Sequence, residues 1–164
     1  MNRTSPPRWR CEHVLETRAT PEAVWCLFAD VPGWKRWNAG IETIEILGPF
    51  AAGTEFRMKP PGQETLTSRL IEVRANEAFV DETRVGDLVV RVAHRIEPLG
   101  AGRTRVVYAL KAEGPDAAEI GAAVSADFPD VLASLVRLAE AATAPDPPRS
   151  VPSGAGAASR RRSG

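Results

Sequence analysis

The chain is poor in the side chains from which most active sites are assembled. Its 164 residues include two cysteines, two histidines and one tyrosine. Cys11 and Cys26 fall on the expected first strand and first helix, so a bridge is geometrically conceivable, but a reducing compartment argues against one. Both are read as free, mostly buried thiols. A nucleophilic cysteine needs a histidine or a helix N-terminus beside its sulfur, and Cys26 lies near the middle of its helix among apolar neighbours. His13 and His94 stand on separate strands with no HExxH or CxxC pattern, so no metal site is expected. No GxSxG marks a nucleophile elbow. No glycine-rich loop precedes a helix, and Gly100-Ala101-Gly102 joins two strands as a hairpin turn rather than a phosphate cradle. No cofactor is expected.

Charge bias and long apolar runs are lacking too. Lysine plus arginine and aspartate plus glutamate number 21 each, so nothing electrostatic selects a nucleic acid as partner. No apolar run approaches the roughly 20 residues that span a bilayer, and Met1-Asn2-Arg3-Thr4-Ser5-Pro6-Pro7 lacks the apolar core of a signal peptide. The expectation is a cytoplasmic protein, monomer or homodimer, whose single core needs no disulfide or metal.

What the chain does have is tryptophan in one place: Trp25, Trp34 and Trp37, three of its four. Thr20 suits an N-cap and Pro21 the first helical position, so a short helix begins there with Val24, Trp25 and Phe28 on one face. Asp30, Pro32 and Gly33 end it. Alternating segments bounded by turn residues predict strands at 8–18, 41–48, 53–59, 64–74, 77–85, 87–97 and 103–112. Short links make them antiparallel and meander-like. Gly114-Pro115-Asp116 opens a long amphipathic helix in which Ile120, Val124, Phe128, Val131, Leu132, Leu135, Leu138 and Ala139 recur every three or four residues. Pro129 inside that pattern predicts a kink or break near 125–129, giving a bent helix or two pieces. Residues 1–7 and 143–164 read as disordered tails; the second is rich in proline, glycine and serine and ends in Arg160-Arg161-Arg162.

A strand, a helix, a second helical turn ending in Trp34-Lys35-Arg36-Trp37-Asn38, and then a run of strands is an order that resembles the polyketide cyclase/dehydrase branch of the START-like (SRPBCC, Bet v 1-like) superfamily. The resemblance spans residues 8–142. It implies an α+β helix-grip fold, a curved seven-stranded antiparallel sheet wrapped around the long C-terminal helix with two short helices after the first strand. It also implies a cavity that holds a lipid, steroid, polyketide or aromatic molecule. Small helical residues (Ala117, Ala118, Gly121, Ala122) leave either a close helix-to-sheet contact or space; with the resemblance, space is the reading adopted.

Alternation sorts the strand faces. Leu88, Val90, Val92, His94 and Ile96 form one set, so His94 points inward with apolar neighbours. Thr104, Val106, Tyr108 and Leu110 place Tyr108 inside as well, and Trp9, Cys11, His13 and Leu15 do the same for His13. On the strand 77–85 two parities remain open: Asp81 goes inside if Phe79 does, and is a surface acid if Val80 faces in.

The candidate site is therefore His94 and Tyr108 as catalytic residues, with His13, Trp34, Trp37, Asn38, Asp81, Val92, Val106 and Phe128 as ligand contacts, Asn38 standing at the mouth. His94 fits a hydrogen-bonded structural histidine, a ligand contact or a base. Such groups suit a protein that binds a small apolar or aromatic molecule by one polar end. They also suit a cyclase or dehydrase in which a neutral histidine acts as base and a tyrosine donates to a carbonyl. A protein-binding adaptor would need an apolar outer sheet face, and the outward positions are rich in arginine and glutamate.

Overall fold

The computed structural model describes residues 3–143. Met1, Asn2 and residues 144–164, with most of the expected C-terminal tail, lie outside them. The elements follow in the order β1 (Arg8–Thr17), α1 (Pro21–Ala29), a 3₁₀ turn (Val31–Arg36), β2 (Thr43–Ile46), β3 (Glu55–Lys59), β4 (Leu66–Arg74), β5 (Ala78–Val85), β6 (Leu88–Gly100), β7 (Arg103–Glu113), α2 (Ala117–Ser125) and α3 (Phe128–Thr143). The strands form one seven-stranded antiparallel sheet in the order β1-β7-β6-β5-β4-β3-β2. The helices pack on it, α2 against β1 and β7, α3 against β1 and α1. Among the described residues no helix is long and apolar enough to cross a membrane.

Local chemistry explains where the helices begin. The Thr20 hydroxyl accepts a hydrogen bond from the Ala23 N–H (3.2 Å), which satisfies one of the free donors of the first turn of α1. The buried face of α1 is Val24, Leu27 and Phe28, each large side chain contributing about 1.5–3 kcal/mol by leaving water. Trp25 stands at the side of that face, edge-on to Phe50 with ring centroids 5.7 Å apart. Cys26 is exposed and Cys11 half-buried, which corrects the expectation of buried thiols. Two residues beyond Val24 the helix has turned by about 200°, so apolar neighbours in sequence are not neighbours in space.

The C-terminal helix is two pieces. It breaks at Ala126 and Asp127, and Pro129 falls in the first turn of α3, where a missing N–H leaves no bond unmade. The break also resets the helical phase. Ile120 and Val124 do not continue the stripe of α3 but are exposed, 37% and 41%, and α2 buries Ala117, Gly121 and Ser125 instead. The reason is Trp9, since a β-carbon on Gly121 would come within 2.4 Å of its ring. Only a residue without a side chain lets this helix approach β1.

Candidate functional site

The concave face of the sheet carries a row of four rings. In the β-ladders His13 lies opposite Tyr108, Tyr108 opposite His94 and His94 opposite Phe79, so the row crosses β1, β7, β6 and β5. The His94 imidazole stacks on Phe79 at 3.9 Å with the planes 8° apart and meets the Tyr108 ring edge-on at 4.5 Å. Phe79 therefore faces in, and Asp81, two residues on, goes with it. The parity that the sequence left open is resolved against a surface acid: the Asp81 carboxylate oxygen Oδ2 is 3.8 Å from His94 Nδ1, and the two side chains are 15% and 10% exposed.

Phe28 of α1 fills the space above this row. Its ring centroid lies 5.1 Å from Phe79, 5.8 Å from His94, 6.2 Å from Trp37 and 6.4 Å from Tyr108. Open space expected at His94 is thus closed by rings, because α1 reaches the volume that α2, held to Trp9, leaves uncovered. Three polar atoms inside this packing nevertheless have no hydrogen-bond partner among the described residues: Trp37 Nε1, His94 Nδ1 and Tyr108 Oη. A buried polar group left unpaired costs about 1–3 kcal/mol. All three belong to residues in contact with Phe28.

Burial sets the protonation states. It pushes the Asp81 carboxyl up from 3.8 to about 7. It also pushes His94 down from 6.5 to about 3, against a smaller opposite pull from backbone groups of Phe79 and Val92 that supply no well-aligned bond. The Tyr108 phenol is raised well above 10 by burial and then by the negative charges of Asp81 and Asp127. Near neutral pH the imidazole is an uncharged acceptor, the phenol an uncharged donor, and Asp81 a carboxyl near the midpoint of its titration. That combination can donate a proton to a carbonyl oxygen and accept one from carbon or hydroxyl.

The remaining candidates divide between this cluster and its surroundings. Phe128 is buried, edge-on to both Tyr108 (5.3 Å) and His13 (6.0 Å), which leaves His13 half-buried at the end of the row. Val92 and Val106 are buried on the same face, Val92 opposite Asp81 in register. Trp34 is buried: its indole N–H donates to the Phe28 carbonyl (2.9 Å) and its ring stacks on Phe79 at 5.6 Å. Asn38 stands in the loop after the 3₁₀ turn, accepting from the Gly40 N–H (2.9 Å). A β-carbon on Gly40 would lie 3.1 Å from Asn38 Oδ1 and 3.0 Å from Asp127 Oδ2, so this loop meets the break between α2 and α3.

Asp127 is a contributor that the sequence did not single out, and Phe28 and Phe79, expected only as part of an apolar helix face and as one open parity of β5, were not assigned to the site. Asp127 has its pKa raised, first by burial and in part by the charge of Asp130. A signal for it exists, an acid two residues before a proline at a predicted helix break. Phe28 and Phe79 carry no such signal beyond being apolar.

Residues 8–140 match the family model described as "Polyketide cyclase / dehydrase and lipid transport". Curated protein sequences give no significant match. Solved structures share the fold. A norcoclaurine synthase point mutant from Thalictrum flavum, in complex with a transition-state analogue, aligns with TM-score 0.70 at 14% identity over 87% of this chain and 100% of that one. The Zhui aromatase/cyclase from Streptomyces sp. R1128 aligns with TM-score 0.70 at 21% identity over 82% and 94%. The di-domain ARO/CYC BexL of the BE-7585A biosynthetic pathway aligns with TM-score 0.67 at 20% identity over 84% of this chain and 48% of that one.

Proposed function

We propose, from the premise that this chain belongs to the polyketide cyclase/dehydrase and lipid-transport family, that it binds a small apolar or aromatic molecule between its helices and the concave face of the sheet. The observation that carries this reading is the set of unpaired atoms, Trp37 Nε1, His94 Nδ1 and Tyr108 Oη, gathered around one phenylalanine. Binding there requires the fully buried Phe28 to move aside, so that an aromatic or aliphatic body takes over its ring contacts while a carbonyl or hydroxyl gives the three atoms the partners they lack. Native mass spectrometry of freshly purified protein should show a retained compound of this type, and His94→Ala should release it. Protein that emerges empty, and whose tryptophan fluorescence ignores every aromatic ketone or phenol offered, would count against binding.

Asp81 favours a second reading, an enzyme of the cyclase or dehydrase type. A carboxyl with pKa about 7 beside a neutral imidazole matches what enolisation and dehydration require of a proton carrier. If the site is catalytic, Asp81→Asn should lower kcat toward a polyketide-like substrate by roughly 10²-fold or more with KM little changed. A binding protein would show no turnover with either form.

A further inference from the structure

On the opposite, convex side of the sheet a second row crosses β1, β7 and β6. Arg10 lies opposite Lys111 and Lys111 opposite Arg91. Neighbouring strands are about 4.8 Å apart, so three positive charges stand within about 10 Å, and like charges directly opposite each other weaken a ladder. Elsewhere on these strands the outward cations have carboxylates: Arg8 has Glu113, Arg95 has Glu12 and Glu97, Arg103 has Glu16, and Arg105 has Glu16 and Glu97. Arg91 has Glu82 at 2.7 Å, a carboxylate it shares with Arg84 and whose pKa the two guanidinium hydrogen bonds lower. Arg10 and Lys111 have no carboxylate partner among the described residues.

A cavity of about 430 Å³ opens over this row, with Arg8, Arg10, Arg91, Lys111, Val89 and Glu113 in its lining. A second of about 230 Å³ shares Val89, Arg91 and Glu113 and reaches Pro6, Asp87 and Gly114. One wall is held in place by the hydrogen bond from the Gly114 N–H to the Pro7 carbonyl (2.9 Å).

We propose that this cavity binds a small organic phosphate, a monoester or diphosphate, whose anionic group lies on Arg10, Lys111 and Arg91 and whose organic part lies over Val89. Two uncompensated cations call for a group with two negative charges, and a planar guanidinium beside an ammonium suits phosphate oxygens well. The volume falls within the roughly 300–1,000 Å³ range of ligand pockets and exceeds what bare phosphate would fill. Glu113, opposite Arg8 and Val89 in the next register row, and Asp87, in the lining of the adjoining cavity, confine the anion to the Arg10 row, which disfavours a long polyanion. This site is independent of the interior one, and either can fail without the other.

Phenyl phosphate and pyrophosphate, titrated calorimetrically at low salt, should each saturate one site per chain. Arg10→Ala and Lys111→Ala should each weaken binding by roughly tenfold, the scale of one charge-assisted contact. Arg57→Ala, which removes an exposed cation on β3, should change nothing. Absence of saturable binding would overturn the proposal. So would an effect that sodium chloride reproduces at matched ionic strength, or binding that survives Arg10→Ala/Lys111→Ala.

Discussion

The Tyr108 hydroxyl is buried without a partner among the described residues, and this decides the sign of its simplest substitution. Tyr108→Phe removes an unpaired polar group and keeps the ring that packs on His94, Phe28 and Phe128. Stability should therefore hold or rise by about 1 kcal/mol, measured by urea unfolding, while ligand retention falls. A loss of stability would mean that the hydroxyl has a partner in solution. The inward placement of His94, Tyr108 and His13 was legible in the sequence, because every charged residue of β6, β7 and β1 falls on the opposite parity. Asp81 was not. Phe79 and Val80 are adjacent and both apolar, so neither parity of β5 is excluded until the ladder places Phe79 opposite His94. Nor could alternation show that His13, Tyr108, His94 and Phe79 share a row, since that depends on the register of three separate strand pairs.

At the scale of elements, the approach of α2 to β1 rests on Gly121. Gly121→Ala places a methyl 2.4 Å from the Trp9 ring and should destabilise the protein by about 1–3 kcal/mol, read as a lower thermal midpoint. A midpoint equal to that of the parent would show that α2 sits farther from the sheet. Strands were well legible because turn residues bracket them. β6 runs on to Gly100 only through an irregularity near Pro98, and no pattern of apolar residues announces that. The break before α3 was legible from Pro129, but its effect on phase was not: Ile120 and Val124 fit the spacing of a continuous stripe, and only the shift at Ala126 and Asp127 turns them to solvent.

For the whole molecule, burial of Asp81 and His94 couples stability to pH in opposite directions. His94, at about 3 when folded against 6.5, contributes stability that is complete above about pH 6.5 and is lost as pH falls toward 3. Asp81, at about 7 against 3.8, contributes stability that is complete below about pH 3.8 and is lost as pH rises toward 7. Between about pH 4 and 6.5 each slope reaches about 1.4 kcal/mol per unit and the two oppose. Parent protein should thus show little change from this pair across the window. Asp81→Asn should gain stability as pH rises, and His94→Phe should lose it, both followed by denaturant midpoints. Flat profiles in both variants would mean that neither group, left alone, is desolvated enough to shift its pKa. The chain's one tyrosine is the one next to this pair. Every phenol signal in its ultraviolet or proton magnetic resonance spectrum therefore originates beside the Asp81–His94 pair, and the proposed binding there can be tested without attaching a label.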